Sequence, residues 1–289
     1  GNLAGRELAR GWIRERTTAE QLAFLLPGAS RWDAPLDAAE IPEPPVAIPE
    51  SAPAWFTAPR PSRAMQATWQ PSPVEALRPP PELRSAVGSN NWAVAGSRST
   101  TGGAIVANDM HLGIRLPHVW FRASIERVGG DGSRRRTTGV MLPGTPVIAA
   151  GSNGRVAWGF TNSYGDYLDL ITLERDPQNP LRFKTPSGWE TAAAHNETLQ
   201  VKGAADETMT VLETSLGPVW SVGGRAYAVH WIAHDPGAVN LRLLSLELAD
   251  DLAAAQAVAN TVGMPAQNFV AGDAAGHIGW TIAGPLPNR

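Results

Sequence analysis

The sequence predicts an α+β protein built of stacked antiparallel sheets with helices on the outside. Three observations lead there. From residue 89 onward, short apolar runs rich in Val, Ile, Trp and Thr alternate with Gly, Pro, Asn and Asp turns. Helical period is confined to residues 3–15, 17–26 and 252–260. Between the first helices and the strands, residues 35–81 carry about half of the 25 prolines and hold no sustained period of either kind. Such a stretch forms neither a helix interior nor a strand ladder, so it reads as linker or spacer.

Leu3, Leu8, Ala9, Trp12 and Ile13 space apolar groups at helical intervals, with Gly11 as a weak point. Thr17-Thr18-Ala19-Glu20 resembles a capping box with Thr17 at the N-cap and Glu20 three residues on. The helix it opens runs through Leu22, Leu25 and Leu26 and stops at Pro27-Gly28. After the proline tract, Trp92 to Ala95 pairs with Ala104 to Ala107 across Thr100-Thr101-Gly102-Gly103. Strands follow at 119–125, 137–141, 147–150, 156–160 and 168–173, then several short ones over 176–240. Asp250 is placed to cap a helix through Asn260, and two last strands, 268–272 and 278–283, meet at Asp273-Ala274-Ala275-Gly276.

A chain of 289 residues can bury a large core. A net charge of −3 gives no footprint for nucleic acid. The Arg134-Arg135-Arg136 run is the basic cluster, and its Gly-rich flanks place it on a solvated hairpin loop. No apolar stretch approaches the ~18–20 residues that span a bilayer, so no membrane partner is expected. There is no cysteine, which excludes disulfides, thiolate metal sites and Cys nucleophiles and fits an oxidising compartment. No signal peptide is visible. The chain opens inside a helical pattern and stops on a strand-like run, so it reads as a fragment of a longer protein.

The chemistry centres on Gly88-Ser89-Asn90-Asn91-Trp92, where the spacer gives way to strands. A serine hydroxyl needs a base to take its proton. No Gly-x-Ser-x-Gly elbow is present. The alternative base is the serine's own α-amine once the Gly88–Ser89 bond is cut; such an amine titrates near ~7.7–8 and accepts a proton at neutral pH. Gly–Ser pairs are mostly turns, so this pair alone carries little.

Four ordered blocks change that. They are Ser89-Asn90-Asn91-Trp92; Val106-Ala107-Asn108-Asp109-Met110-His111-Leu112-Gly113; Leu142-Pro143-Gly144-Thr145-Pro146 with Gly151 through Asn162; and Pro265-Ala266-Gln267-Asn268-Phe269 through Gly276-His277-Ile278-Gly279, closed by Gly284-Pro285-Leu286-Pro287-Asn288-Arg289. Together they resemble the start of the β chain of the penicillin acylase family, the N-terminal-nucleophile (Ntn) amidohydrolases. Met110 stands where the family usually has proline, and Ser152 where it often has histidine.

The resemblance implies an Ntn αββα sandwich: residues 1–26 as the end of an α chain, 27–88 as linker or spacer, and 89–289 as the first part of a β chain. It implies autocatalytic cleavage before Ser89, and an α–β heterodimer acting on a small acyl amide in the periplasm or outside the cell. Ser89 would be the nucleophile. Asn268 would donate its side-chain amide to the oxyanion, and Asn162 its backbone N–H; loss of one such donor costs roughly 3–4 kcal/mol. His111 would orient the α-amine, and Arg289 the surroundings of the nucleophile. Leu112, Ala149, Ala150, Phe160 and Tyr164 fall at positions that line the family's acyl pocket, and the two alanines hint at a roomy one. Phe160 and Tyr164 read equally well as core aromatics. Asp166, the Leu168 carbonyl and Asp169 resemble part of the family's calcium site, with at least one further ligand upstream of this chain; no organic cofactor is implied. The reaction classes open are hydrolysis of N-acyl β-lactams, acyl-homoserine lactones or N-acyl peptides. Composition alone would also allow a carbohydrate-binding β-sandwich, with 11 Trp on many strands. That reading leaves the four blocks without a reason. An acylase decayed to inactivity shows no sign in the sequence, since Ser89, Asn268 and Arg289 are all kept.

Overall fold

The computed structural model describes residues 3–28, 47–57, 88–111 and 116–288. By Cα proximity the chain falls into two compact units, Gly1–Arg78 with Leu168–Thr172, and Pro79–Tyr167 with Leu173–Arg289. Most of the proline tract, the side chain of His111, Leu112 and Arg289 lie outside the described residues.

In the first unit, α1 (Leu3–Arg14) and α2 (Ala19–Leu25) join through a tight turn. The cap of α2 lies one residue beyond the expected one. Thr18, not Thr17, accepts from the Gln21 backbone, and the Gln21 side chain, not that of Glu20, reaches back to the Thr18 N–H. Thr17 is already engaged, donating its hydroxyl to the Ile13 carbonyl. Gln21 is buried and donates Nε2 to the Ser51 carbonyl. The short α3 (Ala54–Thr57) brings Trp55 edge-on to Trp12, ring centroids 5.2 Å apart.

The strands in chain order are β1 (Gly88–Val94), β2 (Ile105–His111), β3 (Phe121–Val128), β4 (Arg134–Met141), β5 (Ala150–Ser152), β6 (Val156–Asn162), β7 (Leu168–Asp176), β8 (Asn179–Thr185), β9 (Gly188–Thr191), β10 (Ala193–Leu199), β11 (Glu207–Thr214), β12 (Gly217–Val222), β13 (Arg225–Trp231), β14 (Gln267–Asp273) and β15 (Ile278–Ala283). They form a β1–β2 hairpin, a six-stranded sheet ordered β15-β14-β6-β5-β4-β3, and a seven-stranded sheet ordered β10-β11-β12-β13-β7-β8-β9. The hairpin has the expected register, Trp92 opposite Ala107 and Val94 opposite Ile105. The arginine run is not a loop. Arg134, Arg135 and Arg136 pair with Val128, Arg127 and Glu126 inside the β3–β4 ladder, because the Gly-rich turn is only four to five residues and the strands continue up to it.

The six-stranded sheet sits between a helix and the hairpin. On one face, Val156 and Trp158 of β6 and Phe269 and Ala271 of β14 pack on Ala255 and Ala259 of α4 (Leu252–Ala259) to make the core. Strand alternation sends Ala157, Gly159, Val270 and Gly272 to the other face. There the hairpin stacks so closely that a methyl group on Gly159 would lie 2.7 Å from Asn108 Cβ, and one on Gly272 2.6 Å from Ala104 Cβ. Sheets ordinarily pack about 10 Å apart, and glycine permits a closer approach. The cap of α4 is Asp251, which accepts from the Ala254 N–H. Asp250 is not available for it, because Arg135 holds its carboxylate with two N–H donors at 2.8 and 3.3 Å. Among the described residues no helix is long and apolar enough to cross a membrane.

The β14–β15 turn is held by buried Asp273. It accepts from the His277 N–H at 2.9 Å, the His277 ring at 3.0 Å and the Leu252 N–H at 3.2 Å. Burial pushes this carboxyl up, but the hydrogen bonds from His277 and Leu252 and the charge of His277 outweigh it and hold it below its ordinary value. A depressed folded-state pKa contributes stability above the unfolded value of about 4, lost as pH falls through the folded one.

Two outcomes follow. Gly159→Ala lowers stability by about 1–3 kcal/mol in thermal denaturation, by forcing the hairpin off the sheet. Asp273→Asn loses stability at neutral pH but flattens the acid limb below about pH 4; an unchanged acid limb contradicts the role given to Asp273.

Candidate active site

Strand register orders the candidate residues along the hairpin and the sheet. On β6 and β14, Gly272 lies opposite Ala157, Val270 opposite Gly159, and Asn268 opposite Thr161. Ala104 and Val106 sit over Gly272, and Asn108 over Gly159. Met110 and Ser89, opposite each other, lie one two-residue step further toward the Gly88–His111 end of the hairpin, and Asn268 and Thr161 lie one such step further along the sheet. Ser89 shares the sheet-facing side of β1 with Asn91, whose Oδ1 would lie 3.1 Å from a methyl on Gly159. Gly88 and Ser89 are joined in this chain, and Ser89 Oγ donates to the Gly88 carbonyl oxygen at 2.7 Å. The nucleophile candidate therefore already touches the peptide group whose cleavage would expose it.

Asn108 clamps the hairpin to the sheet. Its Nδ2 donates to the Phe160 carbonyl at 2.9 Å and to the Asn90 carbonyl at 3.1 Å. Asn108 Oδ1 and both polar atoms of the Asn91 amide are covered and make no hydrogen bond. Stability is given up there, beside the Ser89 row.

At the end of β6, Asn268 Nδ2 donates to the Asn162 carbonyl at 3.3 Å, and Trp280 Nε1 donates to Asn268 Oδ1 at 3.0 Å. The backbone beyond Asn162 is pinned by buried Ser163. Its Oγ donates to the Ala266 carbonyl at 2.7 Å and lies 2.6 Å from the Tyr167 hydroxyl. Ser163 thereby ties the end of β6 to the start of β14, where Asn268 stands. Ser163, Asn108 and Trp280 were not singled out from sequence. The polar Thr161-Asn162-Ser163 ending of an apolar strand is a local signal for Ser163 alone.

The remaining candidates scatter. His111 is the backbone partner of Gly88. Ala150 lines a cavity of about 310 Å³ with Asn108, Thr138, Ser152 and Ala157, beside the hairpin. The Phe160 ring packs toward the core, 5.3 Å from that of Phe269, and Tyr164 is 83 % exposed. The larger depression, about 670 Å³ among Arg134, Arg136, Asn153 and Arg155, lies by the β5–β6 turn, at the other end of β6 from Asn162. Asp166 is exposed and Asp169 half-buried. Among the described residues no three His, Cys, Asp or Glu gather as a metal site.

The structure resembles the solved thermostable penicillin G acylase from Alcaligenes faecalis, with a TM-score of 0.59 at 24% identity, over 68% of this chain and 35% of that one. The fold is therefore α+β, that of the Ntn hydrolases. The penicillin amidase family model matches residues 3–289, and the chain belongs to that family. It is 29% identical over 217 residues to the acyl-homoserine lactone acylase QuiP of Pseudomonas aeruginosa, covering 70% of this chain and 25% of that protein. It is 30% identical over 219 residues to the penicillin acylase 2 proenzyme of a Pseudomonas species, covering 70% of this chain and 26% of that protein. The chain spans about a quarter of the length of these curated relatives.

Ser163→Ala removes a buried hydroxyl and leaves the Ala266 carbonyl short of a donor. It lowers unfolding free energy by about 1–3 kcal/mol in denaturant titration, and an unchanged midpoint contradicts its pinning role.

Proposed function

We propose that the full-length protein is an acylase that hydrolyses a linear acyl amide, with Ser89 as nucleophile after the Gly88–Ser89 bond is cut. The observation that supports this reading is the 2.7 Å contact of Ser89 Oγ with the Gly88 carbonyl, the peptide group that would be cut. In maturation, Ser89 Oγ adds to the Gly88 carbonyl carbon and the C–N bond breaks. This leaves an ester on Ser89 and frees its α-amine; water then releases the Gly88 carboxylate. In turnover, the α-amine takes the Ser89 proton as Oγ adds to the substrate's acyl carbon. The oxyanion accepts from Asn268 Nδ2 and the Asn162 N–H. Collapse passes the proton to the leaving amine and leaves an acyl ester on Ser89. Water, deprotonated by the same amine, hydrolyses that ester.

The names of the relatives support two substrate classes, N-acyl homoserine lactones and N-acyl β-lactams. The heterodimer, the periplasmic or extracellular location and the roomy acyl pocket belong to this proposal too. So does calcium. Asp166, the Leu168 carbonyl and Asp169 would give three of the roughly six to eight oxygens Ca²⁺ takes, with at least one more from upstream of this chain. A bound ion there would hold the segment following β6; its role is structural. A Trp-rich sugar-binding module has no observation in its favour.

The test is turnover of a panel of phenylacetyl, branched and long-chain acyl amides by the processed protein beside Ser89→Ala. The processed protein releases free amine, with kcat/KM falling as pH drops below about 7.7–8 and the α-amine protonates. Ser89→Ala releases none. Turnover that survives in Ser89→Ala, or a pH profile flat through that range, contradicts the mechanism.

A further inference from the structure

We propose that Trp280 is a positioning residue for the oxyanion donor. This rests on the reading of Ser89 and Asn268 given above and concerns how the Asn268 amide comes to point the right way. A carboxamide has two ends of nearly equal size, one an acceptor and one a donor, and a half-turn about its terminal bond exchanges them. Only Nδ2 can stabilise an oxyanion; Oδ1 in its place would repel it. The site therefore needs something that tells the two ends apart.

Trp280 supplies it. An indole N–H donates and accepts nothing, so whichever end of Asn268 it meets must be the oxygen. Trp280 Nε1 lies 3.0 Å from Asn268 Oδ1. That contact turns Nδ2 away from the indole, toward the Asn162 carbonyl at 3.3 Å. One Nδ2 hydrogen meets that carbonyl, and the second remains for a bound anion. The register explains why these two side chains meet. Trp280 is opposite Val270 on β15, and Asn268 is opposite Ile282, so Trp280 and Asn268 are diagonal neighbours on the hairpin face. The other face of β15 is held against α4. A methyl on Gly279 would lie 2.7 Å from Gln256 Nε2, and Thr281 Oγ1 donates to Asn260 Oδ1 at 2.9 Å. Gln256 Nε2 also reaches the Trp280 carbonyl at 3.4 Å. Trp280 stands on an edge strand and is 41 % exposed, so its ring is not part of the core that holds the sheet.

The test is a double-mutant cycle in the processed full-length enzyme, joining Trp280→Phe with Asn268→Ala, each normalised to the amount of free N-terminal Ser89. Removing an oxyanion donor outright costs about 10²–10³ in kcat, and leaving it free to turn costs part of that. Trp280→Phe is expected to lower kcat about tenfold with KM within about twofold of wild type. In the Asn268→Ala background it causes no further loss, since there is no amide left to orient. Should Trp280→Phe not accumulate as processed enzyme, Trp280→His is measured instead. It keeps a ring N–H and so keeps a kcat above that of Trp280→Leu.

A full tenfold loss in the Asn268→Ala background overturns the proposal. So does a change confined to KM, or equal loss in the His and Leu variants. Those results leave the acylase reading standing. Failure of the wild-type enzyme to release amine from any acyl amide removes that reading, and the proposal with it.

Discussion

The structure depends on one close approach, that of the β1–β2 hairpin to the six-stranded sheet. It is possible because β6 and β14 present Gly159 and Gly272 where the hairpin lands, and a side chain at either would collide with Asn108 or Ala104. Once the hairpin is that close, its register against the sheet is not adjustable. Asn108 donates to the backbone of β6 itself, and a slip of one residue would turn its amide to the opposite side of the hairpin. Ser89, near the start of β1, inherits its position from that lock. The same contact that fills the space between two layers thus fixes the strand that carries the Ser89 hydroxyl.

The far end of the hairpin is fixed as firmly. The connection between β1 and β2 docks on the β14–β15 turn, where the Gly96 N–H donates to the Gly276 carbonyl and the Ala104 N–H to the Asp273 carbonyl. Asp273 in turn ties that turn to the first residue of α4. Helix, sheet and hairpin are therefore joined at one end of β14, the helix through the buried Asp273 carboxylate and the hairpin through the backbone carbonyls of Asp273 and Gly276. Buried polar atoms without hydrogen-bond partners lie on Asn91 and Asn108, over Gly159 midway along β6.

Much of this was legible in the sequence, and the failures have physical causes. The hairpin could be read because Trp92 to Val94 and Ile105 to Ala107 alternate on either side of a Gly-rich turn. The two misplaced caps both involved adjacent equivalent residues. Thr17 and Thr18 can each cap a helix, as can Asp250 and Asp251. What decided was a third party invisible in the local sequence, the Ile13 carbonyl for one and Arg135 for the other. Arg134 to Arg136 looked like a loop because charge and glycine usually go together at turns, yet edge-proximal ladders tolerate exposed arginines. Ser89 and Asn268 were identified by resemblance. Trp280 and Ser163 could not be, because a diagonal contact between strands exists only once the register is known. Phe160 had two readings, and its ring went to the core because alternation along β6 puts it on the same side as Val156 and Trp158.

The claim on which the rest stands is that Ser89 becomes a chain end. Intact mass and N-terminal sequencing of the full-length protein, beside its Ser89→Ala variant, test it directly. The account predicts a wild-type chain that begins Ser-Asn-Asn-Trp and a variant that stays joined at the bond following Gly88. A wild-type protein still continuous through this bond, while folded and soluble, would leave Ser89 without its base and contradict the account.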